Sequence, residues 1–174
     1  AVQLDCDHMV VSTGFAYLDV DAEDAFGWCA EAMGRIARKA EQEGVTLAVE
    51  PFTKYTTHIC NEASQLRRLL RTVNSPRLMG LADTDVIATT AVDTFSTFLD
   101  VIGPENLGHV HFVDGNPGGH LVPGDGVLDL DGALEKLKAI HYTGALGLEV
   151  LDRRYVFAPE AAMRQAMDWY KERI

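Results

Sequence analysis

Five short apolar runs recur along the chain, each ending on a polar residue or a turn and each followed by a stretch with helical spacing. This alternation limits the available folds more than any other feature. Residues 8–12 (HMVVS) run into Thr13-Gly14, and residues 21–43 follow with helix-period apolar positions up to Gly44. Residues 45–50 (VTLAVE) repeat the strand pattern, and Pro51 stops it because proline lacks an amide donor and holds its predecessor extended. Asn61 is then expected to cap a helix reaching about Val73, with Leu66, Leu69 and Leu70 on its apolar face. The next strand is predicted over 78–83 and its helix near 91–102. Residues 109–113 (HVHFV) form a fourth strand, followed by a Gly/Pro-rich loop over 114–126 and a helix starting after Asp129 or Asp131. Residues 146–150 (LGLEV) complete the set, and Pro159-Glu160 opens a terminal helix where proline is tolerated.

Strands separated by helices are predicted to lie parallel, joined by right-handed crossovers, which gives an α/β fold and excludes a sandwich or a helical bundle. Polar residues at strand carboxyl ends suit a TIM-type (β/α) barrel, whose chemistry sits on that face. A doubly wound open sheet stays open as an alternative, since it also binds ligands at strand carboxyl ends. The stretch Gly115-Asn116-Pro117-Gly118-Gly119 does not lead directly into a helix, so it makes a poor phosphate cradle.

Composition narrows the partners. With 174 residues, 47% of them hydrophobic, the chain has enough apolar material for one domain with a substantial core. A net charge of −11 opposes nucleic acid and anionic membrane surfaces, and Arg67, Arg68 and Arg71 are read as one helix face rather than a basic patch. Cys6, Cys29 and Cys60 are odd in number and irregularly spaced, which suits buried thiols in a reducing compartment. No apolar run approaches the ~18 residues of a membrane span, and the first residues lack the order of a signal peptide. A cytoplasmic setting is expected.

Glu50, Asp83, His111 and Glu149 fall at the ends of four successive predicted strands. In a barrel those ends converge on one axial pocket. Three carboxylates drawn together resist ionisation unless a cation neutralises them. Any one of the four is equally well read as a solvated strand-end residue; the four in phase point to one divalent cation. Oxygen ligands with a single imidazole favour Mn²⁺, with Mg²⁺, Co²⁺ or Zn²⁺ as alternatives.

The stretches LAVEPFTKY followed by THICN, SPRLMGLADT, HVHFVDG followed by HLVPGDG, and YTGALGLEV together resemble the xylose isomerase-like (β/α)-barrel superfamily. Within it the chain is similar to the ketose 3-epimerases that act on tagatose, psicose and fructoselysine, and SPRL, HVHFVD and HLVPGDG bring it nearest to the fructoselysine type. The resemblance covers nearly the whole chain. It implies that Glu50, Asp83, His111 and Glu149 are metal ligands and that Glu50 and Glu149 are the acid/base pair. It further implies that a metal-bound ketose or ketosamine is inverted at carbon 3 through an enediolate, one glutamate removing the proton and the other returning it to the opposite face.

Three departures bear on the substrate. Thr56 stands where many family members carry glutamate, Val86 where many carry histidine, and Pro117 where psicose-type enzymes carry arginine. Free psicose or tagatose is therefore a poorer expectation than a fructoselysine-like ketosamine. His120 matches a histidine of the fructoselysine-type loop and is read either as a sugar contact or as a solvent-facing loop residue. His58 is read at the pocket mouth or packed in its loop, the latter preferred, and Tyr55 and Phe15 as an apolar pocket wall or, in preference, as plain core.

A family barrel has eight strands and about 250 residues. The five runs match its last five, so residues 1–174 are expected to form one barrel domain without its three amino-terminal βα units. Either a further segment or a second chain would complete it, and a homo-oligomer is expected. Other enzymes on the same metal scaffold, an inosose dehydratase-type lyase or an endonuclease IV-like hydrolase, are alternatives, as is a truncated barrel without catalysis. The nuclease is opposed by the charge.

Overall fold

The structure is a computed structural model and describes residues 1–173. Its five strands, β1 (His8–Ser12), β2 (Thr46–Glu50), β3 (Leu78–Asp83), β4 (Leu107–His111) and β5 (Leu146–Gly147), are all parallel and lie side by side in chain order. A doubly wound sheet reverses its strand order at a switch point. No reversal occurs here, and a strictly sequential order is that of an arc of a (β/α) barrel.

The helices are α1 (Ala22–Glu43), α2 (Ala63–Val73), α3 (Thr84–Thr90), α4 (Phe95–Ile102), α5 (Leu130–Ala139) and α6 (Pro159–Lys171). Asp21 accepts from the amides of Glu23 and Asp24 to start α1, and Gly44, at φ 72°, ends it. Helix α2 packs on α1 and α4, and α4 on α5. Their inner faces bury Leu66, Leu69, Phe98, Leu99 and Ile102 against Val49 of β2 and Val110 of β4. A second small cluster, Val122 with Ala162 and Ala166, sets α6 beneath the loop after β4 and holds Leu148 and Val150 on either side of Glu149.

Several boundaries differ from the sequence expectation. The helix expected over 91–102 starts later, at Phe95, and a short helix that the periodicity did not indicate, α3, precedes it with Asp83 as its cap. Strand β4 starts two residues early, at Leu107, and β5 keeps only Leu146 and Gly147, so Glu149 lies past the strand end. Asn61 is not the cap of α2: Glu62 holds that position, and the Asn61 amide donates to the carbonyls of Phe52 and Thr57, tying the loop after β2. Cys29 and Cys60 are buried, their thiols pushed by burial to about 11 and about 12, whereas Cys6 is exposed. Among the described residues no helix is long and apolar enough to cross a membrane.

Candidate metal centre

Register decides which side chains meet. Between β3 and β4 the pairing shifts by one residue after Gly80: Gly80 lies opposite Leu107, but Leu81 lies opposite His109. Gly108 is the extra residue. Without the shift Asp83 would face Val110; with it Asp83 lies level with His111, and neighbours in a parallel pair point to the same face. His111 in turn pairs with Gly147 of β5. A Cβ on Gly147 would stand 2.9 Å from His109 Nε2 and 3.1 Å from His111 Cδ2, so the glycine leaves the space the two rings occupy. Glu149, two residues on, returns to that face. Glu50, at the end of β2, approaches from the other flank of β3 and β4.

The result is one cluster. Glu50, Asp83, His111 and Glu149 each offer a ligand atom, and these atoms all lie within 4.8 Å of one another. His111 Nδ1 is 3.1 Å from Glu50 Oε1, 3.2 Å from Glu149 Oε2 and 3.5 Å from Asp83 Oδ2. Asp83 divides its two oxygens between separate tasks. Oδ1 accepts from the amides of Asp85 and Val86 and caps α3, while Oδ2, fully buried, has no aligned hydrogen-bond donor. A buried carboxylate oxygen left without a donor is costly in an apolar setting. Here it faces two further carboxylates and an imidazole nitrogen, the donor set of a hard or borderline divalent cation, and the residues fit such an ion.

The charges agree. Burial disfavours the Asp83 carboxylate, but the imidazoles of His111 and His120 and the Val86 amide outweigh it and hold its pKa at about 2. Burial likewise favours neutral rings, yet Asp83, Glu50 and Glu149 push His111 up to about 10, and Asp83 with Asp85 pushes His120 up to about 10. Glu149 is raised, by burial first and then by the Glu50 and Asp83 charges, which His111 and His120 oppose. These carboxylates thus draw both His111 and His120 towards the positively charged form.

His120 is brought to this centre rather than left in solvent. From the loop after β4 its Nε2 comes within 3.3 Å of Asp83 Oδ2 and 3.4 Å of Glu149 Oε2. His58 stays outside the cluster, its ring nitrogens buried and without hydrogen-bond partners. Phe15 and Tyr55 are not core: they are 70% and 80% exposed, and Phe15 stacks on Phe52 at a centroid distance of 6.1 Å. The structure adds two residues that sequence reasoning did not single out. Asp85 touches His120 through Nδ1 at 3.0 Å. Asp114, also buried, accepts from the amides of Gly115, Leu128 and Gly124 and so folds the loop that carries His120. Burial of an aspartate two residues after a ligand would have been the signal for Asp85, and burial is not visible in sequence.

Comparison with known proteins bears on the family and the fold. The family model described as "Xylose isomerase-like TIM barrel" matches residues 1–173. Fructoselysine 3-epimerase of Escherichia coli O157:H7 is 27% identical over 173 residues, covering 98% of this chain and 62% of that protein. Among solved structures, D-psicose 3-epimerase determined in the presence of D-fructose superposes with a TM-score of 0.76 at 24% identity, over 86% of this chain and 52% of that one. The IOLI protein, with a bound zinc atom, superposes with a TM-score of 0.80 at 19% identity, over 96% and 62%. The chain thus spans a little over half to under two thirds of the length of these three proteins.

Proposed function

The chain belongs to the xylose isomerase-like TIM barrel family, and on that footing we propose that it carries the metal and acid/base centre of a sugar epimerase that inverts carbon 3 of a ketose or ketosamine of the fructoselysine kind. The observation that supports this most is the convergence of Glu50, Asp83, His111 and Glu149 within 4.8 Å. All four would hold one divalent cation, Mn²⁺ in preference to Mg²⁺, Co²⁺ or Zn²⁺. Such an ion supplies Lewis-acid chemistry, acidifying the hydrogen beside a sugar carbonyl and offsetting the negative charge left when it departs.

The chain's own part is proton transfer. Glu50 stands on β2 and Glu149 beyond β5, with Asp83 and His111 between them in the strand order, so the two carboxylates reach the centre from opposite flanks. One is suited to take a proton from one face of the sugar carbon and the other to return one to the opposite face, which is what inversion requires. His120 is the side chain best placed to contact the sugar, with Phe15 in the loop after β1 and Tyr55 and His58 in the loop after β2 as further candidates. A cytoplasmic homo-oligomer completes the reading.

The test is proton NMR of fructoselysine and other ketoses in heavy water with Mn²⁺. Deuterium entering carbon 3 alongside a new diastereomer is expected. Replacing Glu50 or Glu149 by Gln should abolish interconversion while Mn²⁺ still binds, and each variant should retain solvent exchange from a different epimer. Near-normal interconversion by either Mn²⁺-loaded variant would refute the two-base mechanism.

A further inference from the structure

Asp85 is 1% exposed, and among the described residues its only ion-pair partner is His120. Its three contacts all go to the loop after β4. Oδ1 accepts from the Gly118 amide at 2.6 Å; Oδ2 accepts from the His120 amide at 3.1 Å and lies 3.0 Å from His120 Nδ1. The loop backbone is laid directly on this carboxylate, since a Cβ on Gly115 would fall 1.8 Å from Asp85 Oδ1. His120 itself sits at φ 48°, in the left-handed region that non-glycine residues rarely adopt. A contact that holds the backbone in that conformation and the ring in one orientation accounts for why the residue stays there.

We propose that Asp85 is a positioning residue for the centre: it fixes the His120 imidazole against the edge formed by Asp83 and Glu149, so that the loop presents His120 to the small molecule bound there. The identity of that molecule, a ketose or ketosamine, rests on the reading above; the positioning does not. Asp83 and Asp85 divide the first turn of α3 between them, one facing the ligand cluster and the other the loop. Ligand-orienting partners of this kind typically change affinity or activity 10- to 100-fold when removed.

The experiment compares the wild type with Asp85→Asn, His120→Gln and the double variant. In the metal-free protein, carbon-13 relaxation of the His120 ring should show it as ordered as the backbone in the wild type and disordered in Asp85→Asn. An equally ordered ring in that variant overturns the proposal. With Mn²⁺ and fructoselysine, Asp85→Asn and His120→Gln should each raise KM about tenfold with little change in kcat, and the double variant should be no worse than His120→Gln alone. Fully additive losses would show that Asp85 acts independently of His120 and also overturn it. Should the wild type leave fructoselysine untouched, the sugar reading fails while the ring measurement still decides the positioning. If Asp85→Asn does not fold, Asp85→Ser, which leaves room for water at the lost oxygen, takes its place.

Discussion

At the scale of single residues, Asp83 shows how one side chain joins fold to chemistry. Its Oδ1 caps α3 while Oδ2 faces the ligand cluster, so its two roles can be separated by substitution. Asp83→Asn keeps a capping oxygen but removes the charge that His111 and His120 face, so it should weaken Mn²⁺ binding at least tenfold in calorimetry and lower the metal-free melting point only by that lost pairing. Asp83→Ala should lose both, with the cap worth about 1 kcal/mol in chemical denaturation without metal. The four residues of the cluster were legible in the sequence, because each lies at or near the end of a short apolar run and strand carboxyl ends converge in this class of fold. What the sequence did not carry was contact across the loop: Asp85 and His120 are 35 residues apart, and nothing in either's neighbours marks the pair. Phe15 and Tyr55 were misjudged for a related reason, since an aromatic residue near an apolar run looks the same whether it packs inward or lies on the rim.

At the scale of elements, the strand and helix order followed from periodicity, and the misses lie where tertiary contacts override it. Helix α3 is rich in β-branched residues (TDVIATT), a poor helix former by composition. It forms because Asp83 caps it and because Thr84, Val86 and Ile87 are buried, which local pattern cannot reveal. The extra residue at Gly108 was equally hidden, although it decides that His111 faces Asp83. The loop after β4 is the element whose order is most easily tested. Asp114 accepts three of its amides, of which only that of Gly115 belongs to a buried residue, and Asp114→Ala should cost about 1–3 kcal/mol in denaturant unfolding, the order expected for one buried donor left unpaired. Limited proteolysis of that variant should cut first within residues 115–127. Unaltered stability and protease resistance would mean that the loop is held by other contacts, such as those of Tyr155 with Asp125 and Val122.

At the scale of the whole molecule, stability and metal occupancy are one equilibrium. An ion that binds only the folded state adds about 2.7 kcal/mol at one hundred times its dissociation constant. For a chain of this size that raises the melting point by roughly 5–10 °C. Mn²⁺ should produce that shift and a chelator should reverse it; identical melts would remove the site. The pH dependence has a definite sign. His111 and His120 are raised from 6.5 to about 10, so their contribution to the metal-free fold is complete below about 6.5 and is lost as pH climbs towards 10. The metal-free melting point should therefore decline over that window. The increment given by Mn²⁺ should grow over the same range, because the ion must displace a proton from His111 and its uptake should release acid into unbuffered solution. The short final strand bears on time rather than on equilibrium. Glu50 and His111 end strands five residues long and Asp83 one of six, whereas Glu149 hangs beyond a strand of two, its side chain 38% exposed. A chelated ion leaves by stepwise release of its ligands, and the first to let go is the one least anchored. With an ion bound there, Glu149 would be the latch whose opening sets how long it resides, while the other three would keep the shape of the site.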